Sequence, residues 1–259
     1  MSNYSTETLC AMTGANRANL RRWQRLGLVS RSNDTGWNKR QQSEVMMAII
    51  ATADGANLHN LRNSPKSAPH NHKLVWRKRQ DRLLSLLESG SDREVSRFIR
   101  IAASDVLTDN FINDLMVPLN KWLRMDELCG SDERLTRFHH AVVFHFSCVK
   151  RASSRHNALP LLLERISSHN ETEIWLEAIR LTGQGFCVDV CDNSAIADEK
   201  YARHHEHHLL WCGAGISPEC QAGYRQELEA GMPVMLRGPD CRIRLARDNV
   251  IPLLGLVDS

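Results

Sequence analysis

At 259 residues, with 42% hydrophobic and 24% charged side chains, the chain is long enough for two or three domains with their own cores. No apolar run approaches the roughly 18 residues of a membrane helix, and the first residues lack the apolar segment of a signal peptide, so a soluble cytoplasmic protein is expected. The eight cysteines are scattered without a CxxC pair, which points to reduced and mostly buried thiols rather than a disulfide framework.

The net charge of +3 conceals an asymmetry. Residues 1–80 carry 13 Lys/Arg against four acids, a net of +9, whereas the remaining 179 residues carry 20 against 26, a net of −6. A basic head suits neutralisation of phosphates with release of counterions, and the acidic remainder would be repelled by a duplex. The alternative is a merely solvated basic surface.

In chain order, residues 5–12 read as a short helix with Leu9 and Met12 inward, and residues 13–16 as a tight turn. Asn16 is placed to cap a second helix over 17–26, where Leu20, Trp23 and Leu26 share a stripe and Arg17, Arg21, Arg22 and Arg25 fall elsewhere. Gly27 ends it. The polar stretch 31–40 suits a hairpin wing, 43–54 a further helix, and 58–61 a small one. Residues 63–73, rich in Asn, Ser, Pro, Lys and His, read as a linker.

Helical patterns follow over 74–89, 92–106, 111–123 and 132–151, the last with Leu135, Phe138, Val142 and Phe146 near 3.6-residue spacing, and four such helices predict a bundle. Beyond residue 154, short apolar runs at 158–166, 186–190, 208–212 and 233–236 alternate with helical patterns at 171–181, 195–203 and 218–229. That rhythm predicts parallel strands with helical crossovers in a small doubly wound domain. Ser217-Pro218-Glu219 has the chemistry of a helix start.

Residues 4–29, YSTETLCAMTGANRANLRRWQRLGLV, resemble the opening of MerR-family transcription regulators. Tyr4 stands at the start of the first helix, Thr13-Gly14 at the turn, Leu20-Arg21 and Trp23 on the recognition helix, and Gly27-Leu28 where the wing begins. Gly36-Trp37-Asn38-Lys39-Arg40 takes the place of the family's wing tip, with Asn38 where an Arg is usual. The physics agrees with the resemblance, because a capped helix with arginines off its buried stripe can enter a major groove. The expected DNA contacts are Arg17, Asn19, Arg21, Arg22 and Arg25 on the helix and Trp37, Asn38, Lys39 and Arg40 at the wing, with Trp37 either packing or touching DNA. The resemblance makes Arg21 chiefly a phosphate contact, with Arg17 and Arg22 nearer bases.

A MerR-type winged helix-turn-helix (1–62), a linker (63–73), a four-helix bundle (74–153) and a Rossmann- or flavodoxin-like α/β domain (154–259) together resemble the MlrA/BluR-like branch of that family and the related CarH-type cobalamin-binding regulators. Val117-Pro118-Leu119, Trp175-Leu176-Glu177-Ala178 and Leu210-Trp211-Cys212-Gly213 carry the likeness beyond the head. Cobalamin-binding members have DxHxxG after the first strand; here residues 167–172 read SSHNET, so His169 is retained while the Asp and Gly are Ser167 and Thr172. Loss of the group that orients the histidine, together with the glycine, should weaken cobalt ligation. The bundle signature W-x9-EH falls on Cys129 and His139-His140. No cofactor is therefore expected, cobalamin through His169 being the alternative.

Other chemistry is thin. The histidines of 203–208 read as a solvated loop or a metal cluster without HExxH, and Cys187 and Cys191 share one strand face beside Cys212, as buried thiols. Gly213-Ala214-Gly215 is too short for a dinucleotide fingerprint, and there is no GxSxG, P-loop or paired-carboxylate motif. The expected protein is not an enzyme. It is a dimeric, nucleoid-associated, sequence-specific regulator binding double-stranded promoter DNA, with a degenerate cobalamin-domain-like module sensing a partner or an unknown ligand. The resemblance adds an EAL-type signalling protein as partner and a role in biofilm control. The competing readings are a cobalamin-dependent light sensor and an adaptor that has lost DNA binding.

Overall fold

The computed structural model describes residues 4–31, 36–53, 72–154, 158–166, 170–191, 205, 207–212, 218–231 and 234–237. They divide into two compact units, one of residues 1–159 with 175–188 and the other of 160–174 with 189–259.

In the first unit, α1 (Thr6–Thr13) and α2 (Arg17–Arg25) are separated by a three-residue turn. Ser5 caps α1, its hydroxyl accepting from the Thr8 amide. Gly14 closes α1 in the left-handed region (φ 71°), its N–H donating to the Cys10 carbonyl, a conformation that favours glycine over residues with a Cβ. The third helix, α3 (Lys39–Ala53), begins four residues before the expected start. Asn38 and Gln41 form a reciprocal cap: Asn38 Oδ1 accepts from the Gln41 amide and Gln41 Oε1 accepts from the Asn38 amide, both at 2.9 Å. Leu9, Ala15, Leu20, Trp23, Leu26, Val29, Trp37, Val45 and Ala48 make one small core between these helices.

A helical bundle follows, built from α4 (His72–Ser89), α5 (Asp92–Asp105), α6 (Thr108–Asn110), a π-helical turn (Phe111–Met116), α7 (Val117–Arg124) and α8 (Ser131–Ser153). The expected continuous helix over 111–123 is thus broken into registers. Pro118 has no N–H to give the Asp114 carbonyl four residues back, and a proline ring crowds that carbonyl. Gln80 of α4 donates its side-chain amide to this oxygen at 3.0 Å, a donor from outside the helix in place of the missing proline N–H. Leu83, Ile99, Phe111, Ile112, Leu115, Met116, Phe138 and Val142 are fully buried in the bundle. The predicted helix at 58–61 and most of the predicted linker lie outside the described residues; the linker's last two positions, His72 and Lys73, already belong to α4.

The predicted strands appear as β1 (Leu159–Arg165), β2 (Phe186–Cys191), β3 (His207–Trp211) and β4 (Val234–Arg237), with α9 (Glu171–Gly183) and α10 (Pro218–Glu229). The sheet order is β2-β1-β3-β4, and β1 with β3 and β3 with β4 are parallel, Leu163 opposite Leu209 and Leu209 opposite Met235. With β1 inside the sheet, the chain reverses its direction of winding after β2, as in doubly wound folds. The predicted helix at 195–203 and Ser217 lie outside the described residues. No helix among the described residues is long and apolar enough to cross a membrane.

Candidate nucleic-acid interface

The site starts from the cap of α2. Asn16 Oδ1 accepts from the Asn19 amide at 2.9 Å and Asn19 Oδ1 accepts from the Asn16 amide at 3.0 Å, which fixes the first turn. Four-residue steps on a helix advance only about 40° beyond a full turn, so Arg17, Arg21 and Arg25 form one stripe. Arg21 and Arg25 are exposed, and Arg17, half-buried, holds an ion pair with exposed Glu7. A pair in that setting is weak and easily screened, so Arg17 can exchange Glu7 for a phosphate.

The opposite face is occupied. Asn19 is fully buried and donates its side-chain amide to the carbonyls of Ser104 (3.2 Å) and Val106 (2.6 Å). Trp23 Nε1 donates to the Asp105 carbonyl at 3.1 Å, and Arg22 Nε pairs with the Asp105 carboxylate at 2.8 Å. These acceptors sit where α5 ends on Val106 in extended conformation rather than on a glycine. The last carbonyls of a helix lack intrahelical donors and carry partial negative charge, so α2 supplies both the donors and the cation that this end requires. Asn19, expected among the DNA contacts, instead has its side-chain amide consumed inside the protein. Arg22 likewise faces Asp105 in this structure.

Trp37 is buried and donates Nε1 to Thr6 Oγ1 at 3.0 Å, while its backbone bridges antiparallel to Tyr4. It packs, one of the two roles that the sequence left open for it. Asn38, where the resemblance puts an arginine, caps α3 as described above. Its Asn-x-x-Gln spacing is the sequence signal for this role. Lys39 and Arg40 remain outward on the first turn of α3; Arg40 is 87% exposed and pairs with Glu44 at 3.3 Å. Residues 32–35, which lead into the expected wing tip, lie outside the described residues. The structure thus brings Arg17, Arg21 and Arg25 together, leaves Lys39 and Arg40 exposed, and turns Asn19, Arg22, Trp37 and Asn38 to structural contacts.

The remaining candidates are distributed elsewhere. His169 and residues 213–215 lie outside the described residues. Near His169, Asn170 is buried, donates to Glu173 Oε1 at 2.8 Å and accepts from the Thr172 amide at 3.2 Å, and Thr172 is itself buried. Thr172, which stands where the cobalamin-binding pattern has a glycine, thus places a buried β-branched side chain at that position. Cys129 is exposed ahead of α8, and His139 and His140 lie on that helix with ring centroids 6.0 Å apart. His205 pairs with Asp189 and His208 with Glu164, each at 2.8 Å, which corrects the solvated-loop expectation for these two. No group of metal-ligating side chains occurs among the described residues. Of the three strand-associated cysteines, Cys212 is buried, with its thiol pKa raised by desolvation, whereas Cys187 and Cys191 are half-buried.

Two helices joined by a tight turn with a basic outer stripe are followed in the chain by a helical bundle and a parallel α/β segment. Residues 160–234 match the family model described as "Transcriptional regulator MlrA, C-terminal domain". Over those residues the chain is similar to transcriptional regulators. No curated protein matches the chain.

Proposed function

We propose that this chain is a sequence-specific, DNA-binding transcription regulator of MerR type, close to the MlrA/BluR-like branch, with no catalytic role. The observation that carries this reading is the stripe of Arg17, Arg21 and Arg25 on a helix whose other face is fastened by Asn19, Arg22 and Trp23. A rigidly held helix with outward guanidinium groups is what major-groove entry and phosphate contact require, and Lys39 and Arg40 add charge beside it. In this reading residues 1–62 form the winged head, 74–153 the bundle, and 154–259 a sensor that has lost cobalamin binding and answers to a protein of EAL type or another ligand. The protein acts as a dimer in the cytoplasm on promoter DNA, because one recognition helix reads a single half-site.

The test is binding to promoter fragments followed by fluorescence anisotropy across a salt series. Wild type should bind with a steep salt dependence, and Arg21→Ala should weaken binding and lower the slope by about one. Equal binding by wild type and Arg21→Ala at low salt would overturn the DNA-reading assignment. Visible absorbance of the protein mixed with hydroxocobalamin should show no shift; a shift would restore the light-sensor reading.

A further inference from the structure

A cavity of about 1030 Å³ opens between α5 and α8, lined by Arg93, Arg97 and Arg100 on the first helix and by Phe144 and His145 on the second. Its size is at the upper end of the range for small-molecule pockets. The three arginines follow one another at steps of four and three residues, so they share a face of α5. All three are exposed, and none has a hydrogen bond or ion pair to another described residue. The two carboxylates in the lining are already engaged. Asp92 pairs with Arg137 at 3.0 Å, and Glu94 accepts from the amide and hydroxyl of Ser91 at 2.8 Å.

Phe144 and His145, with His140, supply the aromatic part of the lining. Phe144 is 54% exposed, an uncommon state for a phenylalanine unless its ring meets a partner. His145 is 6% exposed, packs edge-on against Phe111 with ring centroids 5.8 Å apart, and has a buried Nε2 with no hydrogen-bond partner. A buried polar atom of this kind calls for a missing partner. Uncompensated guanidinium groups, an open ring face and an unfilled ring nitrogen are complementary to different parts of one molecule.

We propose that this groove binds a small phosphorylated ring compound of the nucleotide class, its phosphate on Arg93, Arg97 and Arg100, its ring on Phe144 and an amino or ring N–H on the edge of its base on His145. Guanidinium groups bind phosphate oxygens through charge-assisted, geometrically matched hydrogen bonds. An acidic protein segment would use the same charges, but an exposed ring and a buried, unpartnered histidine nitrogen beside them favour a compact ligand that carries a ring as well as a charge. The proposal is independent of the DNA-binding reading, because it uses other residues and another helix pair.

Calorimetric titration of the full chain with adenosine 5′-monophosphate, inorganic pyrophosphate and adenosine tests it. The monophosphate should bind at least about tenfold more tightly than adenosine, and Arg97→Gln or Arg100→Gln should weaken it by about tenfold. His145→Phe keeps an aromatic edge against Phe111 and should weaken the monophosphate while leaving pyrophosphate unchanged. Both arginines are exposed, so their variants should keep the wild-type circular dichroism and melting curve, which preserves the test even if the histidine variant fails to fold. Equal affinity for adenosine and its monophosphate, no binding of either phosphate compound at millimolar concentration, or unchanged affinity in both arginine variants overturns the proposal. So does binding of polyglutamate or duplex DNA through Arg97 and Arg100 when neither phosphate compound binds.

Discussion

Asn16 touches two helices at once: its Oδ1 caps α2 through the Asn19 amide, and its Nδ2 donates to Thr108 Oγ1 at 3.1 Å, on the first residue of α6. The cap that starts the basic helix is therefore tied directly to the bundle. Asn16→Ala should cost about 1–2 kcal/mol, since it removes the cap. Asn16→Ser retains a capping oxygen but is too short for Thr108, so its loss should be near 1 kcal/mol, roughly the typical net worth of one hydrogen bond. Urea denaturation of the two variants and Thr108→Val checks this. Asn16→Ser and Thr108→Val should be non-additive in a double-mutant cycle, and full additivity would show that the bond contributes nothing.

Thr108 is confined from a second side by Gly183, the last residue of α9. A Cβ at position 183 would stand 2.4 Å from Thr108 Oγ1 and 2.6 Å from its Cβ, far inside contact distance. In an open helix Gly→Ala gains up to about 1 kcal/mol, but overpacking costs about 1–3 kcal/mol, and here the second effect should win. Gly183→Ala should therefore lower the melting temperature. Thr108→Ala should restore only part of it, because the Thr108 Cβ itself is in the way; an unchanged or raised melting temperature would contradict the packing described.

What the sequence disclosed, and what it hid, follows from the range of the interactions. Leu20 and Trp23 on one stripe of α2 were legible because the hydrophobic period is local. The strands were legible as short apolar runs between helical patterns. Asn19 was not, since its partners are carbonyls 85 and 87 positions away at the end of α5, and nothing near Asn19 marks them. The His208–Glu164 pair was equally hidden, because it depends on the parallel register that sets Leu162 opposite His208. The early start of α3 is different: Asn38 and Gln41 carry the capping pattern in the sequence, but the same residues also fit a wing motif, and only the fold separates the two.

The division of α2 into two faces separates two kinds of mutational effect. Arg21→Ala and Arg25→Ala should leave stability within about 0.5 kcal/mol, as exposed substitutions do, while each reduces the salt slope of DNA binding by about one. Arg22→Ala should do the reverse, destabilising by about 1–3 kcal/mol because it strands the Asp105 carboxylate, which is only 12% exposed. Replacing both members, as Arg22→Met with Asp105→Leu, should recover much of that loss. Chemical denaturation beside anisotropy titrations distinguishes the two. Arg22→Ala with unchanged stability and lost DNA affinity would return Arg22 to the DNA-contacting set.

The same cavity that holds His145 gives the fold a pH dependence. Burial, with a smaller contribution from the nearby Arg100 charge, lowers the His145 pKa from 6.5 to about 4. The unfolded chain therefore binds a proton between those values that the folded chain does not, and unfolding is favoured as the pH falls. Stability is intact above pH 6.5, declines toward pH 4, and levels off below that as far as this residue is concerned. At about 1.4 kcal/mol for each tenfold difference in proton affinity, the loss across the window is on the order of 3 kcal/mol. His145→Phe removes the titrating group, so its stability should fall less than that of wild type between about pH 7 and pH 4.5 in parallel urea titrations. Identical pH profiles for the two proteins would show that His145 titrates normally and is solvated in the fold.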